Sequence, residues 1–94
     1  MSVVIVGGNE CMTRRYRELC ESYDWKVRVF PKLERNMQGL GRPDLVVLFT
    51  GTMSHKMLRS VMSEVKGKAV AVEHCRSASI SALKEIMDRR ASHV

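Results

Sequence analysis

Two short runs made only of apolar residues constrain the fold of this chain most. The first, Val-Val-Ile-Val, fills residues 3–6 and ends at the pair Gly7-Gly8, and the second, Leu-Val-Val-Leu-Phe, fills residues 45–49. A strand that is apolar at every position has no face for water, so both runs predict strands buried on both sides of a parallel sheet. We expect them to be the first and third strands, side by side in its centre.

Helix and strand patterns alternate around these runs. Residues 10–22 carry apolar side chains at helical spacing and follow a capping residue, Asn9. Residues 25–30 alternate charged and apolar side chains, which is typical of a strand at the edge of a sheet. Residues 32–43 have no clear period, and the alternatives there are a loop or a short helix around residues 33–40.

The second half of the chain continues the alternation. Ser54 is expected to cap a helix that ends near Gly67, with these side chains facing inward: Met57, Leu58, Val61, Met62 and Val65. Residues 68–73 predict a fourth strand. A last helix begins at Ser77 or Ser79, and the tail from residue 91 is expected to fray.

This order of elements predicts one α/β domain over residues 1–94. We expect a Rossmann-like, four-stranded parallel sheet in the order 2-1-3-4, with helices on both faces. In such sheets ligands bind beyond the carboxyl ends of the strands, where several helices begin and offer free N–H groups to an anion. The sequence therefore predicts a site for a small anionic ligand of phosphate or nucleotide type, with these contacts: Gly7, Gly8, Asn9, Thr52, Ser54, His55, Arg76 and Ser77.

Gly7 and Gly8 have two interpretations. They let the backbone approach a ligand closely, or they make a tight turn from strand to helix. A dinucleotide fingerprint would need a third glycine where this chain has Met12.

Haem or metal binding is an alternative function. His55 at the start of a helix, with His74 and Cys75 after the fourth strand, supplies ligand types that haem iron or a transition metal accepts, and basic side chains would hold haem propionates. No Cys-x-x-Cys-His spacing supports this alternative. Each of the three residues could instead pack against a loop or face water.

Known catalytic patterns are missing from the sequence. A receiver domain needs an aspartate at the end of the third strand, where this chain has Phe49-Thr50. Cys11 and Arg17 match the spacing of cysteine phosphatases, but the residues between them lack the glycines of a phosphate cradle and belong to a helix. No Walker loop or nucleophile elbow is present. We therefore expect a non-catalytic ligand-binding or regulatory protein.

Charge and composition leave a further alternative open. The formal net charge of +6 suits an anionic partner, including nucleic acid through Arg14, Arg15 and Arg17. The aromatic residue between them, Tyr16, is expected on the helix face that packs on the sheet, so it is not placed to stack bases. Three cysteines at unpaired spacings favour a reduced, cytoplasmic chain, and no apolar run is long enough for a membrane span. A length of 94 residues gives a modest core, so a homodimer is also expected.

Several short motifs resemble one bacterial family. Val-Ile-Val-Gly-Gly with Met12 and Tyr16, a central Ser54-His55, and the closing run Arg-Ser-Ala-Ser at residues 76–79 are similar to small proteins catalogued only as a domain of unknown function. The resemblance implies a compact Rossmann-like domain without an assigned activity. Members often carry an acidic residue before Ser-His and histidines after the second strand. This chain has Gly51-Thr52-Met53 and Pro31-Lys32 there, which weakens any metal role drawn from the family.

Overall fold

The computed structural model describes residues 2–30, 43–67 and 70–91. Its strands are β1 (Ser2–Gly7), β2 (Lys26–Phe30), β3 (Leu45–Phe49) and β4 (Ala71–Cys75). Its helices are α1 (Thr13–Ser22), α2 (His55–Val65) and α3 (Ile80–Ala91), and short 3-10 turns cover Glu10–Met12 and Thr50–Thr52. Within these ranges no helix combines the length and apolar character needed to cross a bilayer. Apart from Pro43, the alternatives for residues 32–43 lie outside the described residues.

The strands form one parallel sheet in the order β2-β1-β3-β4, which confirms the predicted α/β fold and strand order. The two apolar runs pair with each other at its centre, with Val3 opposite Leu45 and Val6 opposite Leu48. Every residue of β3 is buried. At the β2 edge, Lys26 and Arg28 are exposed, as their alternation predicts.

Helices cover both faces of the sheet, as expected. On one face, Ile5 and Val47 pack in a cluster with Tyr16 of α1 and Leu83 of α3. On the other, the alternate strand residues pack in a second cluster with Met57, Val61 and Val65 of α2. The division follows from strand geometry, since successive side chains of a strand point to opposite faces.

Two features differ from the prediction. The fourth strand was predicted over residues 68–73, and it covers Ala71–Cys75, because it pairs along the full length of β3, from Leu45 with Ala71 to Phe49 with Cys75. Its pairing therefore includes the polar residues that the sequence pattern assigned to a loop. Residues 68–69 lie outside the described residues. Met62 of α2 was expected to face inward, but it is 39% exposed.

The helix starts are built by the expected capping residues. Asn9 accepts a hydrogen bond from the backbone N–H of Cys11 and caps the first 3-10 turn, so that α1 proper begins at Thr13. Ser79, and not Ser77, caps α3, because its hydroxyl oxygen accepts from the N–H of Ala82 at 3.2 Å. Helix α3 includes Ala91, and the rest of the predicted frayed tail lies outside the described residues.

Candidate functional site

The loop after β1 is shaped by two glycines in the left-handed region, with φ of +83° at Gly7 and +85° at Gly8. A Cβ on Gly7 would lie 2.7 Å from Cγ of Met53, and one on Gly8 would lie 3.0 Å from the rings of Phe49 and Tyr16. Both backbone conformation and space therefore require glycine here. These contacts support the interpretation of the pair as a tight turn packed against protein.

Thr52 joins this loop to the loop after β3. The Gly8 N–H donates a hydrogen bond to Thr52 Oγ1 at 2.6 Å, and the same hydroxyl donates to the Phe49 carbonyl at 3.0 Å. The polar groups that the sequence assigned to a ligand at Gly8 and Thr52 are thus used to hold two loops together.

The loop after β4 meets the loop after β3 from the other side. A Cβ on Gly51 would lie 2.3 Å from the carbonyl oxygen of Arg76, so the two backbones are in direct contact. The Thr50 hydroxyl also donates to the Cys75 carbonyl at 3.5 Å. Gly51 was not among the predicted contacts, because its close approach to Arg76 depends on a contact between distant segments.

Tyr16 connects the loops after β1 and β4. Its hydroxyl donates to the Ala78 carbonyl and lies 3.5 Å from the donating N–H of Asn9. Its ring packs on Phe49 with centroids 5.3 Å apart. The helical spacing of residues 10–22 predicted a helix face that packs on the sheet, but it did not show that the Tyr16 hydroxyl reaches the carboxyl edge of the sheet. We call residues 7–11, 50–56 and 75–79 together the rim.

The start of α2 provides hydrogen-bond donors at the rim. Ser54 caps the helix, as predicted, by accepting from the Met57 N–H at 3.1 Å. The backbone N–H groups of His55 and Lys56 lie in the first turn, where a helix supplies no partner for them. Both side chains are exposed. An anion at this point would meet free N–H groups and the positive end of the helix dipole.

The charges of the rim favour an anion. Its charged side chains are Glu10, Lys56 and Arg76, which leaves an excess of positive charge before His55 is counted. Arg76 is exposed and has no ion pair or side-chain hydrogen bond within residues 2–30, 43–67 and 70–91. Ser77 is used locally, because its hydroxyl donates to Ser79 Oγ at 3.1 Å and its carbonyl accepts from Cys75 Sγ at 3.1 Å.

The suggested metal ligands are not arranged as one set. His74 and Cys75 are neighbours on β4, so their side chains point to opposite faces of the sheet. Cys75 packs toward the cluster shared with α1 and α3, whereas His74 is exposed. The described part of the chain holds no group of three or more His, Cys, Asp or Glu residues placed to bind a metal ion. Haem binding through one of these residues stays a prediction.

The fold and the rim define the class: a small doubly wound α/β domain whose strand-end loops bind one another and present helix N-termini. The chain belongs to the bacterial family described as "Uncharacterized protein conserved in bacteria (DUF2325)", whose model matches residues 2–90. This match confirms the family resemblance seen in the sequence. No curated protein and no solved structure matches the chain.

Proposed function

We propose that this chain is a non-catalytic binding or regulatory module that holds a small anionic ligand, of phosphate or nucleotide type, at the rim. One observation carries the proposal: the Gly8–Thr52 hydrogen bond and the Gly51–Arg76 contact gather three loops at one edge. That edge includes the N-terminus of α2 and the exposed guanidinium of Arg76, which has no ion pair among the described residues, and one carboxylate, that of Glu10.

The ligand would bind first at the start of α2. The backbone N–H groups of His55 and Lys56 would donate to its oxygens, together with the His55 imidazole and the Ser54 hydroxyl hydrogen. Arg76 would supply a charge-assisted hydrogen bond from the loop after β4. Asn9 would contribute its side-chain amide, because only its oxygen is used in capping. Gly7 and Gly8 would support the site through their backbone, and Thr52 would support it through the hydroxyl that binds the Gly8 N–H.

The contacts of two nucleophilic side chains of the rim, Cys75 and Thr52, support a binding role for them. The Cys75 thiol donates to the Ser77 carbonyl, and the Thr52 hydroxyl donates to the Phe49 carbonyl. An activated nucleophile would instead donate to a basic side chain. We place this role in the cytoplasm, where the thiols would stay reduced.

Titration of the ¹⁵N-labelled full chain with inorganic phosphate and then with ATP tests the proposal. We expect saturable shifts of the His55 and Lys56 amide signals, and roughly tenfold weaker binding after Arg76→Ala, since a hydrogen bond to a charged group contributes about 1.5 kcal/mol or more. Arg89→Ala is the matched control, because Arg89 lies at the opposite end of α3. Shifts that avoid the start of α2, or equal weakening in both variants, would contradict the proposal.

The two other interpretations of the sequence give different readouts. Haem binding would produce a Soret band with added hemin that is reduced by a substitution at His55, His74 or Cys75. Nucleic-acid binding would fall steeply with salt and depend on the arginines of α1. All three arginines are exposed, and Arg14 also pairs with Glu18 at 3.2 Å. If the His55 amide signal does not shift, a Soret band would favour haem binding in place of the anionic ligand. Salt-dependent binding that is lost when the arginines of α1 are replaced would favour nucleic acid.

A further inference from the structure

The loop between β4 and α3, residues 76–79, carries the exposed guanidinium of Arg76. Two hydrogen bonds shape this loop from within: the Cys75 thiol donates to the Ser77 carbonyl at 3.1 Å, and the Ser77 hydroxyl donates to Ser79 Oγ at 3.1 Å. Each bond joins residues two positions apart. These bonds therefore give the loop its form, but they do not fix its place relative to the other two loops of the rim.

A hydrogen bond from a distant residue ties the loop to the rest of the rim. The Tyr16 hydroxyl donates to the carbonyl of Ala78, which lies 62 positions further along the chain and directly follows the residue after Arg76. The same hydroxyl oxygen accepts from the Asn9 N–H at 3.5 Å. The hydroxyl thus binds backbone groups of the loop after β4 and of the loop after β1, and it sets the distance between them.

The Tyr16 side chain is itself held in place by the core. It is fully buried, and its ring packs on Phe49, the last residue of β3, with centroids 5.3 Å apart. A Cβ on Gly8 would lie 3.0 Å from the ring and 3.1 Å from the hydroxyl oxygen, so the loop after β1 closes directly over this side chain. Close packing of this kind keeps the ring in one orientation, and the hydroxyl therefore offers its donor at a fixed point.

We propose that the Tyr16 hydroxyl is a positioning group for the rim: it holds the loop of Arg76 so that the guanidinium and the start of α2 bind the same anion. This role of Tyr16 rests on the proposed anion site. Tyr16 is too deeply buried to touch the ligand, and it acts through Arg76. The gain is entropic, since a loop that is already fixed in the binding position loses less conformational freedom when the ligand binds.

Tyr23 allows the positioning role to be distinguished from a purely structural one. It is the C-cap residue of α1, and its hydroxyl donates to the Asp88 carboxylate of α3. Tyr23 thus joins α1 to α3, as Tyr16 joins α1 to the loop before α3, but at the opposite end of α1 from the rim. Replacing either tyrosine with phenylalanine removes one hydroxyl and keeps the ring. Both changes should lower the free energy of unfolding, and only the change at Tyr16 should alter ligand binding.

Titration of the ¹⁵N-labelled variants with ATP tests the proposal. We expect Tyr16→Phe to weaken binding about fivefold, the effect of losing one hydrogen bond, and Tyr23→Phe to leave binding unchanged. In an Arg76→Ala background, Tyr16→Phe should weaken binding by less than about twofold, because its effect passes through Arg76. Equal effects of the two tyrosine variants, or an undiminished effect of Tyr16→Phe without Arg76, overturn the positioning role.

The unmodified chain separates the two proposals. If ATP does not shift the His55 and Lys56 amide signals, the anion site fails and the positioning role fails with it. If ATP binds, linkage requires the ligand to stabilise the Tyr16–Ala78 hydrogen bond by the same factor. Exchange of the Tyr16 hydroxyl proton with water, measured by NMR, should then slow about fivefold at saturation. An unchanged rate overturns the positioning role alone, and this measurement also covers the case in which Tyr16→Phe fails to fold.

Discussion

Thr52 Oγ1 accepts a hydrogen bond at 2.6 Å from the backbone N–H of Gly8, a residue 44 positions away in the chain. The same hydroxyl donates to the Phe49 carbonyl at 3.0 Å. A single side chain thus holds the loop after β1 against the loop after β3, and the left-handed backbone of Gly8 directs its N–H toward that side chain. The shape of the rim rests on this pair.

Replacing Thr52 with valine removes this connection without changing the side-chain shape. We expect Thr52→Val to lower the free energy of unfolding by about 1 kcal/mol, because the Gly8 N–H and the Phe49 carbonyl lose their partner. Urea denaturation measures the change. The control is Thr50→Val. The Thr50 hydroxyl makes a longer hydrogen bond, of 3.5 Å, to the Cys75 carbonyl, so its removal should lower the free energy of unfolding less. Equal losses would show that Thr52 has no special role.

Gly51 should tolerate a methyl group poorly, although its φ lies outside the left-handed region. A Cβ there would stand 2.3 Å from the Arg76 carbonyl oxygen, so Gly51→Ala must push the loops after β3 and β4 apart. We expect a loss of about 2 kcal/mol in thermal or urea unfolding. Gly67→Ala is the comparison. A Cβ on Gly67 would meet no atom within 4 Å, but the φ of +81° is unfavourable for alanine, so we expect the free energy of unfolding to fall by about 1 kcal/mol. The reverse order would contradict the loop contact.

Two neighbouring arginines at the end of α3 should differ in their effect on stability. Arg90 donates to Glu73 at 2.6 and 3.1 Å, and its side chain is 32% exposed, whereas Arg89 lies 3.7 Å from the same carboxylate and is 59% exposed. We expect Arg90→Ala to cost about 1 kcal/mol and Arg89→Ala less than about 0.5 kcal/mol. Both variants remove one cation from the same helix turn, so the difference reports the contact with Glu73.

Stability should fall as pH rises above 9. Burial, with a smaller contribution from Glu21, raises the pKa of Cys20 from 9.0 to about 11. The unfolded chain therefore loses this proton first, and the stabilisation present below pH 9 is lost between pH 9 and about 11. The pKa of Tyr23 is also raised, by its hydrogen bond to Asp88, which acts in the same direction.

Urea unfolding at several pH values measures this dependence. Cys20→Ala should make the decline between pH 9 and 11 shallower, by on the order of 2 kcal/mol over the whole interval, whatever its effect at neutral pH. Tyr23 and Asp88 remain in this variant and keep part of the slope. An unchanged slope would mean that Cys20 does not contribute.

The central part of the fold could be predicted because each local pattern agreed with the packing around it. The runs ending at Val6 and Phe49 are apolar at every position, and only a strand covered on both faces satisfies them. Asn9 and Ser54 both cap helix starts, as their side chains suggested. Strand order followed from right-handed crossovers between parallel strands.

The limits of β4 could not be predicted because pairing, and not composition, decides where that strand ends. Its register extends along all of β3 and draws His74 and Cys75 into the sheet, although both looked like loop residues. The predicted donor pair then separates onto opposite faces. Likewise, the sequence places Gly8 and Thr52 at the carboxyl edge, but which group Gly8 binds depends on a contact between distant segments.

The complete burial of β3 has a consequence for how the chain is synthesised. Strand β3 precedes β4 by more than twenty residues, so a growing chain can pair β1, β2 and β3 while β4 is still being made. At that stage β3 is a sheet edge with five consecutive apolar residues and no charge, the kind of segment that nucleates aggregation. Any truncation before Ala71 would leave the edge of β3 uncovered. The last quarter of the chain therefore protects β3 from pairing with other chains.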